Sequence, residues 1–281
     1  MSVEHSVGWL GALVYGLLQG LTEFLPISSS AHLRVAGALV PGWGDPGAAF
    51  TAVIQLGTET AVVVYFRREI WAIIRTWFLA LFQRELRRHP DARMGWYIIV
   101  GTLPISILGY LFQDTIETAL RSLVYVGVTL IAFGLILGIA DAKARNIKPL
   151  SRLTLPQALL FGCAQALALI PGVSRSGGTI TAGLLMGYTR EAAAKYSFLL
   201  AIPAVFASGF LEVLDIGGDK APAWGPTILA TVVSFVVGYF VVVYFMRYIS
   251  SHDFKPFVVY RALIGAAVLA LLAFGVVMPY A

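Results

Sequence analysis

Residues 19–32 read QGLTEFLPISSSAH, and residues 171–179 read PGVSRSGGT. Each stretch interrupts an apolar run, 9–40 and 155–188 respectively. Those runs are longer than the ~20 residues one helix needs to cross the hydrocarbon, yet too short for two crossings joined by a turn. Pro, Gly and serial Ser break helices, and irregular backbone at membrane depth is tolerated only where protein covers it or a wet cavity meets it. Both runs are therefore expected to be re-entrant helix–loop–helix hairpins. Sliding the chain on itself by 146 positions lays Gln19 on Gln165, Leu21 on Leu167, Ser28 on Ser174, Ser30 on Ser176 and Gly37 on Gly183, so the two tips superimpose without a gap.

The rest of the chain supports a membrane reading. Of its 281 residues 58% are hydrophobic and 12% charged, and its mean hydropathy is +0.81. Soluble domains average about 25% charged residues, so an ordinary soluble enzyme is excluded. Six segments are predicted to span as helices: 47–66, 93–112, 121–140, 192–213, 225–246 and 257–279. The loop Arg67–Arg93 carries seven Arg, and the one after 140 carries Lys143, Arg145, Lys148 and Arg152, so the positive-inside rule places both in the cytoplasm. Asp114 and Glu117 mark one outward connection, and Asp215 and Asp219 against Lys220 mark another. Arg247 and Lys255 return the last loop inside. Counting crossings then puts both termini outside. Three spans separate the hairpins, an odd number, so the second hairpin enters from the opposite face. The expected fold is all-α and polytopic, a single membrane domain over 1–281. It consists of six transmembrane helices plus two hairpins, in an inverted-topology repeat of halves 1–145 and 146–281.

Glu4 precedes the first apolar run and no basic stretch does, so no cleaved signal peptide is expected. The lone Cys163 excludes an internal disulfide or metal–thiolate framework and reads as packing filler. The net charge of +5 does not indicate nucleic acid, because the basic residues cluster between apolar segments, where topology accounts for them.

Charges within the hairpins call for an explanation, since an ionisable group at membrane depth costs roughly 2.5–3.5 kcal/mol. Between 6 and 44 these are Glu23 and Arg34, with His32 between them, and in 153–189 the one charge is Arg175. If the tips meet, Glu23, Ser28, Ser29, Ser30, His32, Ser174, Arg175, Ser176 and Thr179 share one polar cavity. An Arg fork and the amides of a broken helix start suit phosphate oxygens, a serine can attack phosphorus, and Glu or His can move protons or hold a divalent cation. Plainer roles stand beside these. Glu23 and Arg175 can be an ion pair that locks the halves, at least one of Ser28–Ser30 is expected to cap the second helix, and His32 can be a satisfied polar group. Arg34 is expected to snorkel or pair locally, and Gln19, one turn before Glu23, to orient its carboxylate. Arg261 reads equally as a substrate contact or a membrane-edge anchor. His5, His89 and His252 receive no role.

These residues resemble a known family. QGLTEFLPISSSAH is similar to a first signature, (Glu/Gln)-x-x-x-Glu followed by Pro and a Ser-rich turn with His. PGVSRSGGT is similar to a second, Pro-Gly-x-Ser-Arg-Ser-x-x-Thr, of the undecaprenyl-diphosphate phosphatases, the bacitracin-resistance proteins. VIQLG at 53–57, TREAAAKYSFLLAIP at 189–203 and PFVVYR at 256–261 extend the likeness along the chain. The resemblance implies hydrolysis of undecaprenyl diphosphate to undecaprenyl phosphate and phosphate in the bacterial cell membrane, with magnesium or calcium. It implies Glu23 as acid/base or metal-binding carboxylate, Ser28 or Ser29 as nucleophile, His32 as proton-transfer group, and Ser174, Arg175, Ser176 and Thr179 as diphosphate binders. Gln19 stands where many members have a first Glu, so Glu23 is left to act alone. A secondary transporter or flippase of a lipid phosphate or other anion is the competing reading, and an inactive lipid-binding scaffold a third. The sequence leaves open whether water attacks directly and whether the protein forms a homodimer.

Overall fold

The structure is a computed structural model and describes residues 7–112, 122–215 and 223–279. Asp114, Glu117, Asp219 and Lys220, on which the outward connections rest, lie outside the described residues, as do Glu4 and His5. The described residues form eleven α-helices. These are α1 (Trp9–Thr22), α2 (Ser29–Leu39), α3 (Ala48–Tyr65), α4 (Arg67–Phe82), α5 (Pro90–Leu111), α6 (Leu123–Lys143), α7 (Leu155–Ala166), α8 (Arg175–Leu185), α9 (Arg190–Asp215), α10 (Trp224–Ile249) and α11 (Lys255–Ala273).

The fold is all-α and multi-pass. Helices α5, α6, α9, α10 and α11 are each long and apolar enough to cross a membrane, and α3 meets that test together with α4, from which it is bent by 83°. Apolar side chains cover the outer faces of these helices: Leu103 and Ile107 on α5, Ile136 and Ile139 on α6, Val232 and Phe240 on α10 and Leu263 on α11 are all exposed. A water-soluble bundle would bury that surface, whereas lipid tails solvate it.

Two expectations are corrected. The segment Arg67–Arg93, read as a loop, contains α4. Its Trp71, Ile74, Phe78 and Phe82 recur every three or four residues and lie exposed in one apolar stripe on an Arg-bearing helix. That pattern suits a helix lying in the membrane interface. Cys163, read as packing filler, is exposed on α7. Arg34 pairs locally, as expected, with its Nε 3.5 Å from Asp45 Oδ2.

One end of the bundle is held by charge. Lys195 Nζ reaches Glu69 Oε1 at 2.6 Å, Arg190 Nε reaches Asp141 Oδ1 at 2.6 Å, and the Phe254 amide donates to Asp141 Oδ2 at 2.9 Å. The start of α4, the end of α6 and the starts of α9 and α11 therefore share a side, as the loop charges require.

The two halves also repeat a contact pattern. α1 packs on α10 as α7 packs on α5, α3 packs on α10 as α9 packs on α5, and the like pairs α3–α9 and α6–α11 meet each other. Only the first half carries α4, so the sequence shift between halves shortens beyond it. Close backbone approach sets the α5–α7 seam, where a Cβ on Gly162 would lie 2.1 Å from the Gly101 carbonyl oxygen. Small residues of this kind let helices associate where burial from water offers no drive.

Candidate active site

The short helix pairs α1–α2 and α7–α8 break where the sequence indicates. Thr22 ends α1, and the chain turns through Pro26 to Ser28, whose φ of 73° precedes α2. After α7 a single 3-10 turn, Leu167–Leu169, leads through Pro171 and Gly172 to Ser174, whose φ of 72° precedes α8. Positive φ on a non-glycine residue costs on the order of 1–3 kcal/mol and persists only where surrounding contacts enforce it.

Arg261 enforces it here. Its guanidinium is fully buried and donates to Pro26 O of the first tip (2.9 Å), to Gly172 O (2.9 Å) and Val173 O (3.1 Å) of the second, and to Leu130 O of α6 (3.1 Å). Fully buried with its donors committed to backbone carbonyls, Arg261 is not the membrane-edge anchor that was one of its two sequence readings. It clamps the two tips together. Gly172 belongs to the same joint, since its φ is +89° and an added Cβ would meet Thr129 Oγ1 at 2.1 Å.

The clamp brings the expected polar groups into contact. Glu23 Oε1 is ion-paired with Arg175 Nη2, and Glu23 Oε2 accepts from Ser29 Oγ at 2.5 Å and Gln19 Nε2 at 2.8 Å. The Glu23 side chain is 5% exposed and that of Arg175 17%. His32 Nδ1 lies 2.7 Å from Ser28 O, a pure acceptor, so that nitrogen carries the proton. In the neutral ring His32 Nε2 then accepts from Tyr260 OH at 2.8 Å, with the two rings stacked.

The remaining candidates divide. Ser176 Oγ donates to Leu25 O at 3.1 Å, joining α8 to the first tip. Thr179 is fully buried against Ser197 Oγ at 2.5 Å and donates into its own helix, so it faces packing rather than the cavity. Ser174 caps α8 by accepting from the Gly177 amide at 3.1 Å. Ser28, expected with Ser29 and Ser30 to supply a cap for α2, makes no side-chain cap and pairs instead with Ser30 Oγ at 3.2 Å. The α2 N-terminus therefore keeps free the amide that α8 commits to its cap.

Two residues that sequence reading passed over also belong to this region. Tyr260 partners His32 from α11, and Glu59, 1% exposed within α3, lines one small cavity with Glu23, Arg175, Ser176 and Ser197. A glutamate inside an apolar span was the available signal for Glu59, but hydropathy averaged over the span hides a single charge. The cavity measures about 10 Å³, room for about one water. Among the described residues no three His, Cys, Asp or Glu side chains cluster as a metal site. The donors present nevertheless suit a hard cation. Glu59 Oε1 and Gln19 Oε1 are buried without partners beside Glu23, and Mg²⁺ characteristically takes one or two carboxylates plus phosphate oxygens.

Fold and site together define a multi-pass membrane protein whose two broken helix pairs bring an acid, a hydroxyl and a guanidinium together. Residues 12–267 match the model of the bacitracin resistance protein BacA family, and the chain belongs to that family. It is 58% identical over 272 residues to an undecaprenyl-diphosphatase of Nocardioides sp., covering 96% of this chain and 99% of that one. It is also 55% identical over 268 residues to one of Thermobifida fusca (95% and 91% covered), and 56% identical over 276 residues to one of Paenarthrobacter aurescens (96% and 99% covered).

Proposed function

We propose that this protein hydrolyses undecaprenyl diphosphate to undecaprenyl phosphate and inorganic phosphate, recycling the lipid carrier of peptidoglycan synthesis and so conferring resistance to bacitracin. The observation that carries the reading is the joined set Ser29–Glu23–Arg175, a hydroxyl on a carboxylate that is itself on a guanidinium, within a family whose relatives bear that enzyme name.

The polyprenyl chain lies in lipid along the apolar outer faces while its diphosphate enters between the tips. A 10 Å³ cavity does not admit a diphosphate, so entry requires the anion to displace Glu23 from Arg175. The guanidinium then neutralises the terminal phosphate, the uncapped N-terminus of α2 offers further amides, and Ser29 Oγ stays on Glu23 Oε2. Ser29 Oγ attacks the terminal phosphorus as Glu23 takes its proton, the bridging P–O bond breaks, and undecaprenyl phosphate leaves. Water then releases phosphate from Ser29. His32, held by Ser28 and Tyr260, carries protons at the rim. A magnesium or calcium ion held through Glu23 would add positive charge to the phosphate oxygens.

We place the basic loops in the cytoplasm and both termini outside, in the bacterial cell membrane, with halves 1–145 and 146–281 inserted in opposite senses. All these groups come from one chain, so the reading needs no second copy. The test is phosphate release from undecaprenyl diphosphate by purified protein with magnesium or calcium and a chelator control. Substrate movement without release would make this a carrier. Mass analysis after rapid quench separates the two routes, because phosphoserine at 29 marks covalent attack, whereas an unmodified serine throughout single turnover marks direct attack by water.

A further inference from the structure

Glu59 has no role in the chemistry above. It lies within α3, 1% exposed, and its Oε1 has no hydrogen-bond partner. A carboxylate buried at membrane depth is retained when a cation or a function compensates it. Arg175, the nearest guanidinium in the shared cavity, is already paired with Glu23. On α1, Gln19 Nε2 donates to Glu23 Oε2 and lies 3.5 Å from the hydroxyl of Thr58, the residue before Glu59. Because a carboxylate only accepts, the amide nitrogen must face Glu23, which leaves Gln19 Oε1 as a second buried oxygen without a partner. One carboxylate oxygen and one amide oxygen thus stand unclaimed around Glu23, and both are hard donors. Gln19, being neutral, leaves the second negative charge of the site to come from α3.

We propose that Glu59 is the second acid of this site and, with Glu23, holds the divalent cation that accompanies the diphosphate. The proposal deepens the hydrolase reading and rests on it. A magnesium-class ion takes one or two carboxylates and fills its remaining positions with phosphate oxygens and water, so two glutamates, an amide oxygen and the substrate complete a coordination sphere. Gln19 and Glu59 are then alternative seats for one charge, since Gln19 bonds Glu23 and Glu59 shares its cavity.

The experiment measures Mn²⁺ binding by the paramagnetic signal of the free ion. It uses the full chain in detergent, with a hydrolysis-resistant methylene analogue of a short polyprenyl diphosphate present. Wild type binds Mn²⁺. Glu59→Gln weakens that binding at least tenfold and raises the Mg²⁺ concentration for half-maximal phosphate release. Adding Gln19→Glu to Glu59→Gln restores most of both. Glu59→Gln also melts no lower than wild type, because it replaces a buried carboxyl oxygen that has no partner by a neutral amide of the same shape; a purely structural carboxylate would melt lower and leave Mn²⁺ affinity unchanged. Unchanged Mn²⁺ affinity in Glu59→Gln overturns the proposal, and so does a loss that Gln19→Glu fails to restore. Failure of the hydrolase reading is recognised separately, as wild-type protein that binds Mn²⁺ but releases no phosphate.

Discussion

The tip at Ser28 and the tip at Ser174 turn through nearly the same φ, 73° and 72°, and each sets a pair of serine hydroxyls 3.2 Å apart. Their side chains diverge. The shift that lays Ser28 on Ser174 lays Glu23 on Leu169, Ser29 on Arg175 and His32 on Gly178. The first tip carries the acid, the hydroxyl and the imidazole, and leaves its helix start uncapped. The second carries the cation and caps its helix with Ser174. One backbone shape thus occurs twice, and the side chains that differ give the first copy a carboxylate and the second a guanidinium. Even the paired glutamines differ. Gln19 binds Glu23, whereas both amide atoms of buried Gln165 lack partners.

The division is broken most severely at its charges. Arg175→Ala and Glu23→Ala are each expected to lower phosphate release by roughly 10³-fold while the protein still elutes as a folded species in detergent. A double replacement, Glu23→Leu with Arg175→Leu, removes the pair without leaving an unpaired buried charge. If the pair were only a lock between halves, the double variant would recover turnover; it is expected to stay inactive.

The joint between the tips comes next. Arg261→Met strips donors from carbonyls of both tips, at about 1–3 kcal/mol for each one left buried and unbonded. A fall in melting temperature with parallel loss of activity is expected, and unchanged melting would refute the clamp.

Within the first tip the serines are predicted to be unequal. Ser29→Ala, which empties Glu23 Oε2 of its hydroxyl, reduces single-turnover rate by about 10²-fold or more, and Ser28→Ala reduces it far less. Equal effects would erase the assignment of Ser29.

The smallest effect sharpens the comparison of helix starts. Ser174→Ala removes a cap worth about 1 kcal/mol and lowers stability, whereas Ser28→Ala has no cap to remove. Chemical denaturation of both variants in detergent reads that difference.

Most of this was legible along the chain. Long uncharged runs gave the spans, because lipid demands a fixed length of apolar helix, and Pro26, Pro171 and the serines gave the breaks. Glu23 and Arg175 stood out as charges isolated in apolar hairpins. Three features were hidden. The Arg count of 67–93 reads as a loop and hides the three- to four-residue spacing of Trp71, Ile74 and Phe78 on α4. Glu59 was averaged into its span. Arg261 was recognisable as a buried cation, but the five carbonyls it bonds belong to segments distant in sequence.

The clamp also imposes an order on biogenesis. The guanidinium that joins Pro26 to Gly172 and Val173 arrives on α11, the last described helix. Both tips are synthesised long before it, so a nascent chain holds the Glu23–Arg175 and Ser176–Leu25 contacts yet lacks the guanidinium that ties the tip carbonyls together. The joint is complete only after the ribosome has delivered residue 261, and a chain arrested earlier in translation is expected to release no phosphate.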